Sequence, residues 1–185
     1  MSRITPADII AFWSEAGPAR WYKKDDAFDA EIRDRFEPAH HAAARGEYAD
    51  WAESAEGAPE GSLALLILLD QFPRNIYRDS AHAFAADGLA VRIAVRAIDA
   101  GHDRATPMPM RIFFYMPLEH SEGLGLQARS CALFEAAGNG EYLRYAILHR
   151  DIIARFGRFP HRNACLGRVS TPEEIEFLAS GGFQG

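Results

Sequence analysis

LALLILLDQFPRN, Leu63 to Asn75, decides the fold. Its seven-residue apolar start, Leu63 to Leu69, is the longest such run in the chain and falls far short of the roughly 18 residues that a membrane-spanning helix requires. A helix apolar on every side must instead be enclosed by other elements, so this one is expected to run through the middle of a folded domain. Asp70 closes the run at the helix C-terminal end. There the dipole disfavours a carboxylate, and a buried unpaired charge would cost several kcal/mol, so Asp70 is assigned a structural ion pair, with Arg74 and Arg78 as the local cations. Pro73 is expected to push Phe72 out of helical geometry and end the helix.

Outward from this stretch the apolar spacing stays helical, with no sustained alternation. Helices are expected at about 6–16, 26–44, 47–55, 61–72, 80–100, 108–116, 121–137, 140–156 and 172–179, about nine in all. Thr5-Pro6 and Thr171-Pro172 each offer an N-cap hydroxyl followed by proline at the first helical position, and Glu174 completes a capping box with Thr171. Gly101 and Gly157 stand where helices need a left-handed residue to stop. The short connections imply antiparallel helix pairs in a solenoid or bundle, forming one all-α domain over residues 1–185.

The 185 residues can bury about 70% of their unfolded surface without metal or disulfide support. Cys131 and Cys165 are the only cysteines and have no metal-site spacing. The N-terminal stretch MSRITPADIIAFW carries Asp8 and lacks a small-residue cleavage site, so no secretory signal is expected and the chain is read as cytoplasmic. The net charge of −6 divides into −6 over residues 1–62, +3 over 63–168 and −3 over the remainder. An excess of +3 over so long a segment is no nucleic-acid footprint, and neither nucleic acid nor membrane is expected as a partner.

The Asp70 corner has an echo in GRFPHRN, Gly157 to Asn163. Both place Phe, Pro, Arg and Asn within a few residues after a helical run. Arg74, Asn75, Arg158, His161, Arg162 and Asn163 are therefore the candidate ligand-binding residues, because a guanidinium pairs bidentately with carboxylate or phosphate. The two corners are expected to lie on one side, facing Asp87 or His120. Asp87 falls within the apolar stripe of the 80–100 helix, and His149 sits mid-stripe in the 140–156 helix, where desolvation should keep it neutral. Asp151 and Arg155 read as an i,i+4 pair on another face. In MPLEHSE, Met116 to Glu122, Ser121 reads as an N-cap and Glu122 as a first-turn acid, with His120 unexplained. His120, His149, Asp87 and Glu122 are the candidate acid/base residues. No pair of His and carboxylate has the spacing of a metal motif, so neither metal nor cofactor is expected. For each of these polar residues a satisfied structural contact is the plain alternative.

LALLILLDQFPRN, the Asp87 helix, Phe113 to Glu122, the run from His149 to Asn163, the Trp21 to Asp29 segment and the final STPEE together resemble the bacterial domain of unknown function 924 family. The resemblance spans essentially the whole chain. It implies a right-handed superhelix of antiparallel helix pairs, like tetratricopeptide-repeat proteins, and it implies no activity. Two functions follow from the residues. One is a binding module whose concave surface takes a small anionic molecule or a peptide or protein terminus. The other is an enzyme on a small anionic substrate using His and carboxylate general acid/base chemistry. The oligomeric state stays open.

Overall fold

The computed structural model describes residues 4–53 and 58–184, and the described residues contain helices and turns with no strand. In chain order these are α1 (Pro6–Ala16), α2 (Pro18–Trp21), α3 (Asp26–Ala44), α4 (Ala58–Leu66), α5 (Phe72–Ile76), α6 (Asp87–Asp99), α7 (His102–Ala105), α8 (Met116–Glu119), α9 (Leu124–Ala136), α10 (Gly140–Phe156) and α11 (Pro172–Ala179). Contacts group the chain into two compact units. Unit 1 comprises the residues up to Arg78 together with His82–Pro117, and unit 2 comprises Asp79–Ala81 and the residues from Leu118 onward.

In unit 1, every residue from 61 to 73 is buried. α4 is surrounded by α1, α6, α7 and the short turn Ala49–Ala52, as its all-round apolar surface requires. The Ala49–Ala52 turn takes the place of the expected helix at 47–55, whose last two positions lie outside the described residues. Gly61 permits the close approach to it: a Cβ there would lie 1.9 Å from the Trp51 carbonyl oxygen. Phe12, Phe36 and Phe72 pack with Trp13, Phe28 and Phe113 into one aromatic cluster beside this rod.

The rod does not end at Pro73. Phe72 is helical, with φ −57° and ψ −40°, and the chain continues through α5 to Ile76. Between α4 and α5 lies one wide π turn, Ile67–Gln71, in which the Phe72 N–H reaches back five residues to the Ile67 carbonyl. Proline suits the start of a new helical segment because its fixed φ already matches the first helical position. The Leu68 carbonyl, five residues before Pro73, instead accepts a hydrogen bond from His40 Nδ1 at 2.8 Å. A side chain from α3 thus fills the backbone bond that proline cannot make.

Two further expectations shift. The 80–100 helix begins only at Asp87, after the 3-10 turn Ala81–Phe84, which puts Asp87 in the first turn, where the dipole favours a carboxylate. The expected 108–116 helix is a 3-10 turn at Met110–Phe114 followed by α8. α2 and α7, four residues each, were too short to show a period.

In unit 2, α9 and α10 pack as a helical hairpin, and Asn139 Oδ1 caps α10 by accepting from the amides of Glu141 and Tyr142. Gly157, at φ 70°, ends α10 in the left-handed region, and both ends of α10 match the spacing. Thr171 and Glu174 form the expected capping box of α11. α9 starts later than expected. Its N-cap is Gly123, while the Ser121 hydroxyl accepts from the Gly123 amide and Glu122 is drawn away by long-range partners.

Candidate functional site

The first corner is an ion-pair network within unit 1. Arg74 stands 3.2 Å from Asp70 Oδ1, grips both oxygens of Asp87 at 3.1 and 3.0 Å, and also donates to the Asp70 carbonyl. Burial alone would lower the Arg74 pKa, but the charges of Asp70 and Asp87 more than offset it and hold the guanidinium protonated. Gln71 Nε2 donates to Asp70 Oδ2 at 2.5 Å. Asn75 donates to Asp29 at 2.8 Å, and Arg78, the other cation considered for Asp70, pairs with Asp29 instead.

The second corner lies in unit 2 and has a different character. Arg158 forks onto both oxygens of Glu174 at 2.7 and 2.8 Å, and the Val169 carbonyl takes a further bond. The Arg158 hydrogen bond, with the Thr171 amide and Asn163, holds the Glu174 carboxyl down to about 2 against burial. Asn163 Oδ1 accepts from Arg168 Nε at 2.9 Å. Arg168 also forks onto Glu122, which accepts the Phe159 amide at 2.8 Å as well. Burial would raise the Glu122 carboxyl, but the Arg168 hydrogen bond, the Phe159 amide and the charges of Arg168 and Arg162 leave it below the ordinary range.

Beside these pairs stands a cluster of imidazoles. His149 is 7% exposed, with its ring centroid 6.4 Å from that of His120, 5.4 Å from Phe159 and 4.7 Å from Phe183. His161 lies between the same two aromatics, 5.5 Å from Phe159 and 5.3 Å from Phe183. Arg162 lies 4.3 Å over the Phe159 ring and donates to the His120 carbonyl at 3.0 Å. His149 Nδ1 approaches the Tyr145 carbonyl at 2.8 Å and Glu119 Oε1 at 3.0 Å. A carbonyl only accepts, so Nδ1 carries the proton and Nε2 presents its lone pair when the ring is neutral.

Burial pushes the His149 imidazole down to about 3, the Tyr145 carbonyl opposes the shift, and the positive charges of His120, Arg162 and His161 reinforce it. The Glu119 carboxylate pulls the other way, but desolvation at this depth dominates, and the ring is neutral as its mid-stripe position implied. His161 is likewise pushed down to about 4, by burial first and then by Arg162. Its Nδ1 is buried with no hydrogen-bond partner among the described residues. No three His, Cys, Asp or Glu side chains among the described residues are placed to hold a metal ion, and no described helix is long and apolar enough to cross a membrane.

The structure thus brings His120, His149, His161 and Arg162 together, and sets Glu122, Arg158 and Asn163 in the adjoining ion pairs. Arg74, Asn75, Asp70 and Asp87 form their own group in unit 1. Two participants escaped the sequence reading, Glu119 and Arg168. Neither breaks a helical period, and their partners are 30 and 46 residues away, so only the folded chain shows them. The same holds for Ser62, whose buried hydroxyl lies 3.0 Å from His102 Nδ1. Asp151 and Arg155 also differ from expectation: each takes another partner, Arg150 and Glu173 respectively, because exposed long side chains choose among several neighbours.

The model of a family described as bacterial protein of unknown function, DUF924, matches residues 9–182. The chain belongs to this family. The solved structure of the protein of unknown function ATU0120 from Agrobacterium tumefaciens is similar, at 50% identity to this chain. The likeness covers 95% of this chain and 97% of the other, at a TM-score of 0.90. No curated protein matches. The comparisons therefore establish the family of this chain and a fold shared with that protein.

Proposed function

We propose that the protein is a binding module for a small carboxylate- or phosphate-bearing ligand, a peptide's terminal carboxylate included, and that Arg162 and the imidazoles around it receive the anion. The observation that carries this reading is the buried, unpartnered Nδ1 of His161 next to the Arg162 guanidinium. Buried polar groups are almost always satisfied, so such an atom calls for a partner. An anion there would also offset the positive charges that add to burial in depressing His149 and His161. Arg74 and Arg158 support the reading less, since each already grips carboxylates of its own chain.

A second reading is an enzyme in which Glu119 and the Tyr145 carbonyl orient His149 as a general base. Its weakness is one of magnitude. A general base works best with a pKa near the operating pH, and an imidazole held down at about 3 is far from that. Binding requires no such match.

The test compares the wild type with Arg162→Lys, using inorganic phosphate, acetate and a short peptide with a free C-terminus. Bound ligand at about 100 times its dissociation constant adds about 2.7 kcal/mol, several degrees in midpoint for a chain of this size. The wild type is expected to shift with at least one anion, with chemical-shift changes on His161. Arg162→Lys should keep nearly the same midpoint and lose that response, because an ammonium cannot reproduce the fork. A sharply lowered midpoint in Arg162→Lys, with no anion shifting the wild type, would make the corner a structural lock.

A further inference from the structure

A separate cleft of about 360 Å³ in unit 1 is lined by His40 and Ala44 of α3 and by Ala86, Gly88 and Arg92 at the start of α6. His40 is 5% exposed, and its tautomer is fixed: Nδ1 donates to the Leu68 carbonyl, which can only accept. The neutral ring therefore keeps a lone pair on Nε2, which has no hydrogen-bond partner among the described residues. This arrangement depends on the π turn, which leaves the Leu68 carbonyl beside a proline without an N–H. Wide turns of this kind recur at functional sites.

The α6 side of the lining carries the cation. Arg92 is exposed and has no carboxylate partner among the described residues, and its Nη1 lies 3.8 Å from where a Cβ on Gly88 would sit. The guanidinium is thus folded over the first turn of the 13-residue helix α6, at the positive end of the helix dipole. No side chain caps that helix start. Arg92 and the start of α6 both offer positive charge to the cleft, while the Asp87 carboxylate in the same first turn is taken up by Arg74. Small side chains at Ala44, Ala86 and Gly88 leave room for an anion.

We propose that this cleft binds a small molecule carrying a phosphate or carboxylate beside a hydroxyl or N–H donor, with the acidic group on Arg92 and the α6 start and the donor on His40 Nε2. The two requirements together select against simple anions and against neutral polyols. The site is independent of the imidazole cluster in unit 2.

Glycerol 3-phosphate is the probe, with inorganic phosphate and glycerol as its two halves. Calorimetry and the ring resonances of ¹⁵N-histidine-labelled protein are read together. Glycerol 3-phosphate is expected to bind saturably and to shift the His40 Nε2 signal, with each half binding at least tenfold more weakly. Arg92→Gln, at an exposed position, should weaken binding at least tenfold, and Ala44→Leu, exposed on a helix, should block the cleft by filling it. The proposal falls if no saturable binding appears into the millimolar range, if binding survives both substitutions, or if the shifts appear on His149 and His161 and leave His40 unmoved.

Discussion

The corners at Asp70–Asn75 and Gly157–Asn163 are built from nearly the same residues and do opposite things to the backbone. In the first, the chain passes Pro73 and stays helical to Ile76. In the second, Gly157 has already stopped α10, and Pro160 opens a single 3-10 turn. What precedes the proline decides the outcome. A π turn absorbs the missing N–H and hands the leftover carbonyl to His40, whereas a left-handed glycine leaves nothing to absorb. The side chains diverge as well: the first corner directs its cations and amides onto Asp29, Asp70 and Asp87, while the second sets its ion pairs beside His161, whose buried Nδ1 has no hydrogen-bond partner among the described residues.

The largest test of this contrast removes one guanidinium from each corner. Arg74→Met removes the guanidinium shared by Asp87 and by Asp70, which is 1% exposed, and should cost about 3–5 kcal/mol in urea unfolding. Arg158→Met leaves Glu174 with the Thr171 amide and Asn163, so the cost should be only about 1–2 kcal/mol. An Arg158 effect equal to that of Arg74 would break the comparison.

Acid should act on unit 2 through groups whose folded pKa values are depressed, the imidazoles of His149 and His161 and the carboxyl of Glu174 among them. His149, at about 3 against 6.5, contributes stability that is fully present above pH 6.5 and is lost as pH falls toward 3. Glu174, at about 2 against 4.5, contributes fully above pH 4.5 and loses its part as pH falls toward 2. The urea midpoint of the wild type should therefore begin to drop below pH 6.5, and His149→Gln should reduce the slope between pH 6.5 and 5 by about half, since His161, at about 4 against 6.5, carries the rest. An unchanged slope in that variant would show that His149 is not the first group to titrate.

The smallest effects concern the backbone itself. Gly157→Ala puts a Cβ at φ 70° and should cost about 1 kcal/mol. Pro73→Ala supplies an N–H that the Leu68 carbonyl can use, so stability should change by less than about 1 kcal/mol while the His40 Nδ1 resonance moves. A loss above that from Pro73→Ala would mean the π turn depends on the proline ring for packing.

α1, α3, α10 and α11 were legible to the residue because their ends are set locally, by Thr5, Asp25, Asn139, Gly157 and Thr171. The buried rod was legible from its all-apolar surface. The π turn was not, since nothing local distinguishes a proline that stops a helix from one that a distant histidine compensates. In the candidate site, His149 and Asp87 announced themselves by breaking apolar stripes, and their need for partners was readable. Which partners answered was not: Arg74 reaches Asp87 across 13 residues, and Glu119 reaches His149 across 30. Side-chain pairing across a fold leaves no period in a sequence.

The burial of α4 on every side also orders the molecule in time. Its amides can meet solvent only when unit 1 opens as a whole, so deuterium should enter them last. The Phe72 amide, bonded across the wider π turn within the same rod, becomes a reporter placed inside the slowest region. If it exchanges ahead of its neighbours in α4, the rod yields first at the turn that holds His40 in place.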